Sequence, residues 1–154
     1  MSNWRKFVHL TRQEKKLLLQ ALLLLPLVHA LLALSGYRRL VRFIQEKISV
    51  RPSKEPLTQD EKIQRASATA LIVSIAAAYG LYRASCLRRS LVLLILLRRQ
   101  GISAQLCFGA RRNTQALEAH AWVEVDGVVV NDRLDISQQF APLGEEFPAT
   151  RAGL

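Results

Sequence analysis

The chain has 154 residues, of which 50% are hydrophobic, and it carries 22 Lys and Arg against 12 Asp and Glu, for a formal net charge of +10. A chain this apolar buries enough surface to offset the entropy of ordering, which excludes disorder as its main state. Two cysteines exclude a disulfide-rich secreted scaffold, and three histidines without CxxC or HxxxH spacing argue against a zinc site. No Gly-rich phosphate loop and no other cofactor signature occurs. The composition predicts a small basic protein of the reducing cytoplasm.

The positive charge is spread along the chain in short pairs instead of forming one block. The pairs are Arg5-Lys6, Lys15-Lys16, Arg38-Arg39, Arg88-Arg89, Arg98-Arg99 and Arg111-Arg112. Aromatic residues make up only 6% of the chain, too few for a platform on which bases stack. We therefore expect no nucleic-acid partner, and favour an acidic membrane surface or an acidic peptide or protein.

Residues 17–34, LLLQALLLLPLVHALLAL, are the most apolar stretch of the sequence. A membrane-spanning helix needs about 20 apolar residues, and this run is interrupted by Gln20, Pro26 and His29. Basic residues flank both ends, so the charge distribution predicts no orientation. The pattern favours a buried or membrane-leaning helical hairpin, and a true span is the alternative.

The chain divides at a polar segment into an N-terminal hydrophobic helical region, residues 1–50, and a core, residues 63–154. The connecting residues 51–62 contain two prolines and several charges, which is typical of a linker. Thr58 or Asp60 can cap the next helix, which we predict from Ile63 to near Gly80.

A second core helix is predicted to begin at Cys86, with Ser85 as N-cap and Gly101 as the left-handed residue after its end. Strand-like segments follow at 103–110, 119–125 and 128–132, and the last two flank Asp126-Gly127 as a hairpin. The tail from Leu134 is expected to be loosely held. Helices followed by a small antiparallel sheet predict an α+β fold.

Cys86 is the candidate nucleophile because it stands at a predicted helix N-terminus beside Arg83, Arg88 and Arg89. Unpaired backbone N–H groups, the helix dipole and nearby cations all favour thiolate over thiol. The same amides can receive a substrate oxyanion. The alternative is a buried structural cysteine.

His120 is the candidate base, because Asp132 falls on the next predicted strand. A three-residue loop, with Gly127 in a bulge, pairs His120 directly with Asp132. A two-residue turn instead places Arg133 opposite His120 and makes Asn131 the orienting group. We favour the three-residue loop, in which Asp132 holds the imidazole while His120 accepts the Cys86 proton.

Other polar and aromatic residues have simpler interpretations. His9 and His29 are expected to be a surface or core histidine without a catalytic partner. Glu124 is expected to face solvent, and Trp122 to pack on the sheet. Cys107 lacks a helix N-terminus beside it and is expected to be a small buried strand residue.

The segments C-L-R-R-S-L from Cys86, H-A-W-V-E from His120 and Asn131-Asp132 resemble the transglutaminase-like cysteine proteases of lasso-peptide biosynthesis, the microcin-processing "B protein" leader peptidases. The likeness covers roughly residues 60–135, and the Leu-rich N-terminal helices are also similar. It implies a papain-like α+β core with Cys86 as nucleophile, His120 as base and Asp132 as orienting residue.

The resemblance also implies a substrate and partners. Members of the family remove the leader from a ribosomally made precursor peptide, and a separate ATP-dependent cyclase closes a macrolactam on the freed amine. Hydrophobic helices precede Cys86, with no fused leader-recognition domain, which implies a split form that uses a discrete leader-binding protein. The alternatives are a transglutaminase-like acyl transferase and a non-catalytic, membrane-leaning scaffold of a peptide-maturation complex.

Overall fold

Helices precede a small antiparallel sheet in the computed structural model, which describes residues 11–50, 56–80, 84–112 and 117–142. The helices of the first half are α1 (Arg12–Ser35), α2 (Tyr37–Lys47), α3 (Gln59–Tyr79) and α4 (Cys86–Arg99). The second half contains β1 (Gln105–Arg112), β2 (Leu117–Val125), β3 (Val128–Val129), the short α5 (Ile136–Gln139) and β4 (Ala141–Pro142). This order confirms the predicted α+β class.

Helices α1 and α3 begin with the same device, a capping box that satisfies free N–H groups of the first turn. Thr11 accepts a hydrogen bond from the Glu14 backbone N–H, and Thr58 accepts one from Glu61. The reciprocal bond from the Thr backbone lowers the pKa of each glutamate carboxyl. The cap at Thr58 starts α3 at Gln59, four residues before the predicted start at Ile63.

The predicted linker over 51–62 is correspondingly shorter, because its last four residues are helical. Its first five residues, 51–55, lie outside the described residues. One apolar cluster includes side chains from α1, α2, α3 and α4 as well as from the sheet. The helices of the 1–50 region therefore share a core with the segment after the linker.

Helix α4 is the centre of that core, because every residue from Ser90 to Arg98 is buried. It ends in a Schellman motif: Gly101, at φ 79°, donates to the Arg98 carbonyl, and Ile102 donates to the Leu97 carbonyl. This confirms Gly101 as the left-handed residue after the helix.

Arg98 lies in the last turn of α4, but its side chain binds the C-terminal end of a different helix. Its guanidinium Nη1 donates to the carbonyls of Ile44, Gln45 and Ile48, at the C-terminal end of α2. Burial lowers the pKa of the guanidinium. One buried cation thus binds the last carbonyls of α2, of which that of Ile44 also accepts the Ile48 N–H, and ties α2 to α4.

The sheet has the strand order β3-β2-β1-β4, and all its described pairings are antiparallel. One face packs on α4 through residues such as Leu106, Val123 and Val125. The other face, which includes Trp122, carries a second apolar cluster. The sheet therefore lies between the helices and a thin outer layer.

The hairpin between β2 and β3 differs from the predicted three-residue loop. Asp126 and Gly127 have φ of 49° and 80°, and Glu124 pairs with Val129, as in a two-residue type I′ turn. The predicted bulge is wrong. A type I′ turn requires the left-handed conformation at both of its central residues. Asp126 tolerates this conformation, so Gly127 takes the second position of the turn instead of forming a bulge.

The segment after Leu134 is anchored, contrary to the prediction of a loose tail. Ile136 and Phe140 are buried in the outer apolar cluster, and Ala141 pairs with Ala110 of β1. The prediction undervalued two apolar side chains that are enough to cover the outer face of a small sheet. Residues 143–154 lie outside the described part of the chain.

Helix α1 is the one helix, among the described residues, that is long and apolar enough to cross a membrane by length and composition. It packs on the protein with one face, through Ala21, Leu24, Leu25 and Val28. Gly36, at φ 75°, follows it and allows the abrupt turn into α2.

We predict that Arg98→Ala lowers the free energy of unfolding by about 2–4 kcal/mol, because it strands carbonyls at the buried end of α2. Arg99→Ala, at the exposed neighbouring position, is the matched control and should change it by less than about 0.5 kcal/mol. Urea unfolding of the two variants measures the difference. Equal stability of both variants would contradict the role of Arg98.

Candidate active site

Cys86 is the first residue of α4, and Ser85 is the N-cap, as predicted. The Ser85 side chain accepts no hydrogen bond from the first turn of the helix, in contrast to the threonine caps of α1 and α3. The N–H groups at the start of α4 are therefore not occupied by their own cap, and they can stabilise an anion at Cys86. Cys86 is half-buried and carries a free thiol.

His120 and Asp132 are hydrogen-bonded to each other, with 2.7 Å between His120 Nε2 and Asp132 Oδ2. Their side chains are only 21% and 24% exposed. The second carboxylate oxygen, Oδ1, accepts the backbone N–H of Arg133. Because the carboxylate accepts at Nε2, that nitrogen carries the proton, and Nδ1 is left as the basic atom of the ring.

Asn131 explains how Asp132 reaches His120 despite the two-residue turn. Val130 N–H still donates to the Val123 carbonyl, as in a regular ladder. The Val123 N–H, however, donates to the Asn131 side-chain Oδ1 at 2.8 Å. The side chain replaces a backbone acceptor, so the chain bends away from the sheet at residues 130–132. This bend turns Asp132 to the face of His120.

Ser90 connects this bend to the helix of Cys86. It lies one turn after Cys86 on α4, is fully buried, and its hydroxyl donates to the Ala121 carbonyl at 3.1 Å. Asn131 Nδ2 donates to the same hydroxyl at 2.9 Å. Three elements that carry the candidate residues are therefore joined by one buried polar network.

Cys86 and Asp132 line the same narrow cleft, between α3, α4 and the sheet. Ala121, the neighbour of His120, and Asn131 also line it. Arg89 completes the cleft on the helix side, three residues after Cys86. Its buried Nε has no hydrogen-bond partner within the described residues, so its positive charge remains available to an anion in the cleft.

Two aromatic rings flank the imidazole of His120. The Phe140 and Trp122 rings lie 5.2 Å and 6.4 Å from it, centroid to centroid, and both stack on it. Gly109 pairs with His120 across the sheet, and a Cβ there would lie 2.5 Å from the Phe140 Cβ. Glycine thus permits Phe140 to cover the histidine. Trp122 packs on the sheet, as predicted, and also limits the access of water to the His120–Asp132 pair.

Glu124 was predicted to face solvent, and this prediction is wrong. It is half-buried and accepts a hydrogen bond from the Trp122 indole Nε1 at 2.7 Å. Burial, and then the charge of Glu124, raise the pKa of the Cys107 thiol to about 12. Cys107 is therefore a packed strand residue held as a neutral thiol, as its sequence position indicated.

His120 does not itself line the cleft; it is joined to it through its hydrogen bond to Asp132. The other predicted residues lie away from the cleft or outside the described residues. His29 lies on α1, where it lines a different cavity together with Leu25 and Tyr79. His9 and Arg83 lie outside the described residues. Within the described ranges no group of three or more His, Cys, Asp or Glu side chains is placed to hold a metal ion.

The sequence predicted Cys86, His120 and Asp132 as site residues, and Asn131 as the alternative orienting group, but it did not predict the network through Ser90. Asn131 was considered only as a group that orients His120, whereas it bonds Val123 and Ser90. The available signal was the spacing of Ser90, four residues after Cys86 on one helical face of an otherwise apolar segment. A buried serine in such a segment requires a partner.

We predict that Asn131→Ala lowers the free energy of unfolding by about 1–3 kcal/mol, because the Val123 N–H and the Ser90 hydroxyl lose a partner in a buried place. Gln138→Ala, at an exposed polar position nearby, is the control and should be close to neutral. Asn131→Asp keeps the acceptor but removes the donor to Ser90, so its loss should be intermediate. Wild-type stability of Asn131→Ala in urea would contradict the network.

We also predict that the two cysteines react very differently with iodoacetamide. The raised pKa of Cys107 keeps that thiol neutral until the pH approaches about 12, so its alkylation should be negligible near neutral pH. Cys86, at the helix N-terminus, should be alkylated first, which peptide mass mapping detects. Glu124→Gln should increase the reactivity of Cys107 at high pH, since it removes the charge that raises the pKa. Faster labelling of Cys107 than of Cys86 at neutral pH would contradict this assignment.

The sequence matches the family model described as the transglutaminase-like superfamily over residues 26–145. No curated protein and no solved structure matches it. The matched segment includes α2, α3, α4, the sheet and every residue of the cleft. This superfamily includes cysteine proteases with a Cys-His-Asp triad. The chain therefore belongs to the transglutaminase-like superfamily.

Proposed function

We propose that this protein is a cysteine peptidase that removes the leader from a ribosomally synthesised lasso precursor peptide. The observation that carries the proposal is the 2.7 Å hydrogen bond between His120 and Asp132, beside a cleft that Asp132 shares with Cys86. Membership of the transglutaminase-like superfamily supports peptidase or acyl-transfer chemistry. The resemblance of the C-L-R-R-S-L and H-A-W-V-E segments supports the leader peptide as substrate.

The first step of the proposed mechanism forms the nucleophile. His120 accepts the Cys86 thiol proton at Nδ1, because Asp132 holds Nε2 as the protonated nitrogen. The resulting imidazolium is stabilised by the carboxylate. The thiolate is stabilised by the N-terminal amides of α4 and by the charge of Arg89.

The thiolate then attacks the carbonyl carbon of the scissile peptide bond. Backbone N–H groups at the start of α4 receive the oxyanion of the tetrahedral intermediate. His120 returns the proton to the leaving nitrogen, the C–N bond breaks, and the leader remains as a thioester on Cys86. A water molecule gives a proton to His120 and attacks the thioester, which releases the leader carboxylate and restores the thiol.

The products define the partners of the proposed pathway. The cleavage frees the N-terminal amine of the core peptide, which an ATP-dependent lasso cyclase then joins to a side-chain carboxyl. A discrete leader-recognition protein delivers the precursor in this scheme. We place the reaction in the cytoplasm, where both cysteines remain reduced.

Acyl transfer is the second candidate function, because the superfamily match is compatible with it. In that reaction the thioester is attacked by an amine in place of water. The two reactions leave different products, a free leader carboxylate after hydrolysis and a leader conjugate after transfer. Product mass separates them. A non-catalytic scaffold would form neither product.

We predict that the purified protein, with its leader-binding partner, cuts the precursor peptide once, at the junction of leader and core. Cys86→Ala should lower the rate by at least about 10³-fold, because it removes the nucleophile. Asp132→Ala should lower kcat by about 10²- to 10⁴-fold, with a smaller effect on KM, because it leaves His120 without an orienting group. Mass spectrometry of the products gives both the cut position and the rate.

Cys107→Ala is the matched control, since Cys107 lies on the sheet as a neutral thiol outside the cleft. It should retain wild-type cleavage. Cleavage by Cys86→Ala at the wild-type rate would disprove the mechanism. No cleavage by the wild-type protein, with the partner shown to bind the leader, would favour the scaffold.

A further inference from the structure

The outward side of α1 is apolar along its whole central length. Between residues 19 and 34 every exposed residue of this helix is hydrophobic or proline, and we call this set the leucine stripe. Its members are Leu19, Leu22, Leu23, Pro26, Leu27, Ala30, Ala33 and Leu34. Leu19, Leu23, Leu27 and Leu34 are 59%, 64%, 51% and 84% exposed. At 1.5 Å per residue the stripe is about 24 Å long.

The leucine stripe is not part of the apolar core, because α1 packs on the rest of the protein with its opposite side. Ala21, Leu24, Leu25 and Val28 are buried there against the other helices. A continuous exposed apolar patch of this size marks a surface that binds another protein or a membrane.

The packing also excludes the simplest membrane arrangement, in which α1 crosses the bilayer. Helix α4 packs against α1, and its Arg88 lines a cavity together with Leu22 and Pro26 in the middle of α1, so this charge would enter the hydrocarbon with α1. A helix that keeps one side on the protein and offers the other side to lipid lies in the plane of the interface.

Cations stand at both ends of the leucine stripe. Lys15 and Lys16 are exposed one turn before Leu19, and Arg39 and Arg42 are exposed on α2, which follows Leu34. Two copies of the chain that met through the stripe would bring these cations together, and repulsion would oppose the contact. Anionic headgroups would neutralise them. The formal net charge of +10 also favours binding to an anionic lipid surface.

From the exposed stripe and its flanking cations, we propose that the leucine stripe docks on the surface of a membrane that contains anionic lipids. The apolar side chains enter the boundary between headgroups and acyl chains, while the flanking Lys and Arg side chains bind phosphate groups. Leu22 and Pro26 also border a cavity of about 220 Å³ that extends to Ala84 and Arg88, on either side of Cys86 in the sequence. Docking therefore holds the start of the catalytic helix near the lipid surface. This inference does not depend on the proposed substrate.

Vesicle flotation of the purified full chain tests the proposal. Two vesicle compositions are used, phosphatidylcholine alone and equal parts of phosphatidylcholine and phosphatidylglycerol. The wild-type protein should float with the anionic vesicles, and added salt should weaken its binding. The double variant Leu23→Glu, Leu27→Glu should lower the bound fraction by at least about tenfold, because it places two charges in the apolar contact.

Matched controls carry the same change at equally exposed leucines elsewhere. Leu117→Glu and Leu134→Glu, both at positions 73% exposed, should bind like the wild type. Lys15→Gln with Lys16→Gln should weaken binding to the anionic vesicles alone. Circular dichroism verifies the fold, and Leu23→Gln with Leu27→Gln replaces the Glu pair if that variant loses helix.

Three outcomes would overturn the proposal. The wild-type protein stays unbound with anionic vesicles, or the stripe variant floats as well as the wild type. In the third, light scattering after size exclusion finds a dimer that the stripe variant abolishes, while neither protein binds vesicles. That result would assign the leucine stripe to a second copy of the chain.

Discussion

The hydrogen bond from the Val123 backbone to the Asn131 side chain is the constraint on which the site depends. The type I′ turn at Asp126-Gly127 imposes a register in which Asp132 would point away from His120 if the strand continued. The side-chain amide ends the ladder by taking the place of the next backbone acceptor. Because the Val123 N–H keeps a hydrogen-bond partner, the chain can leave the sheet there without the cost of an unpaired buried donor.

The same amide determines how the strands pack on α4, the helix that begins at Cys86. Its Nδ2 bonds Ser90, which in turn bonds the carbonyl of Ala121, next to His120. The position of α4 is set by the apolar core, because its residues from Ser90 to Arg98 are all buried. A rigid helix thus presents Cys86 at its exposed end, and a polar network inside the fold aligns the histidine strand with it. Phe140 and Trp122 then cover the outer side of the imidazole.

The helix ends and the turn were predicted from the sequence, because they depend on residues that are close together in the chain. Ser85, Gly101 and Thr58 mark helix ends through their own backbone and side-chain preferences, and the structure has helix ends at each. The Asp126-Gly127 turn was located correctly as well. The position of Cys86 at a helix N-terminus was predicted and is observed, because the N-cap signal at Ser85 does not depend on the rest of the fold.

The errors concern interactions between distant segments. The predicted bulge pairs His120 directly with Asp132, whereas the observed arrangement depends on a side chain that replaces a backbone acceptor. Arg98 lies in the last turn of its helix, where a cation often stabilises that same end, although its partners lie some 50 residues earlier in the chain. Phe140 and Ile136 were undervalued because their partners on the sheet cannot be identified without the strand order. Each of these depends on tertiary packing that overrides local preference.

Asn131 and Asp132 together fix which ring nitrogen of His120 carries the proton. Nitrogen-15 NMR of the imidazole measures the tautomer of His120 most directly. Protonated and unprotonated ring nitrogens have distinct chemical shifts, so the spectrum shows which nitrogen carries the hydrogen. We expect neutral His120 to carry its proton on Nε2 in the wild type, and Asn131→Ala, which releases the bend, to leave a mixture of the two tautomers. A proton on Nδ1 in the wild type, or an unchanged tautomer in Asn131→Ala, would contradict it.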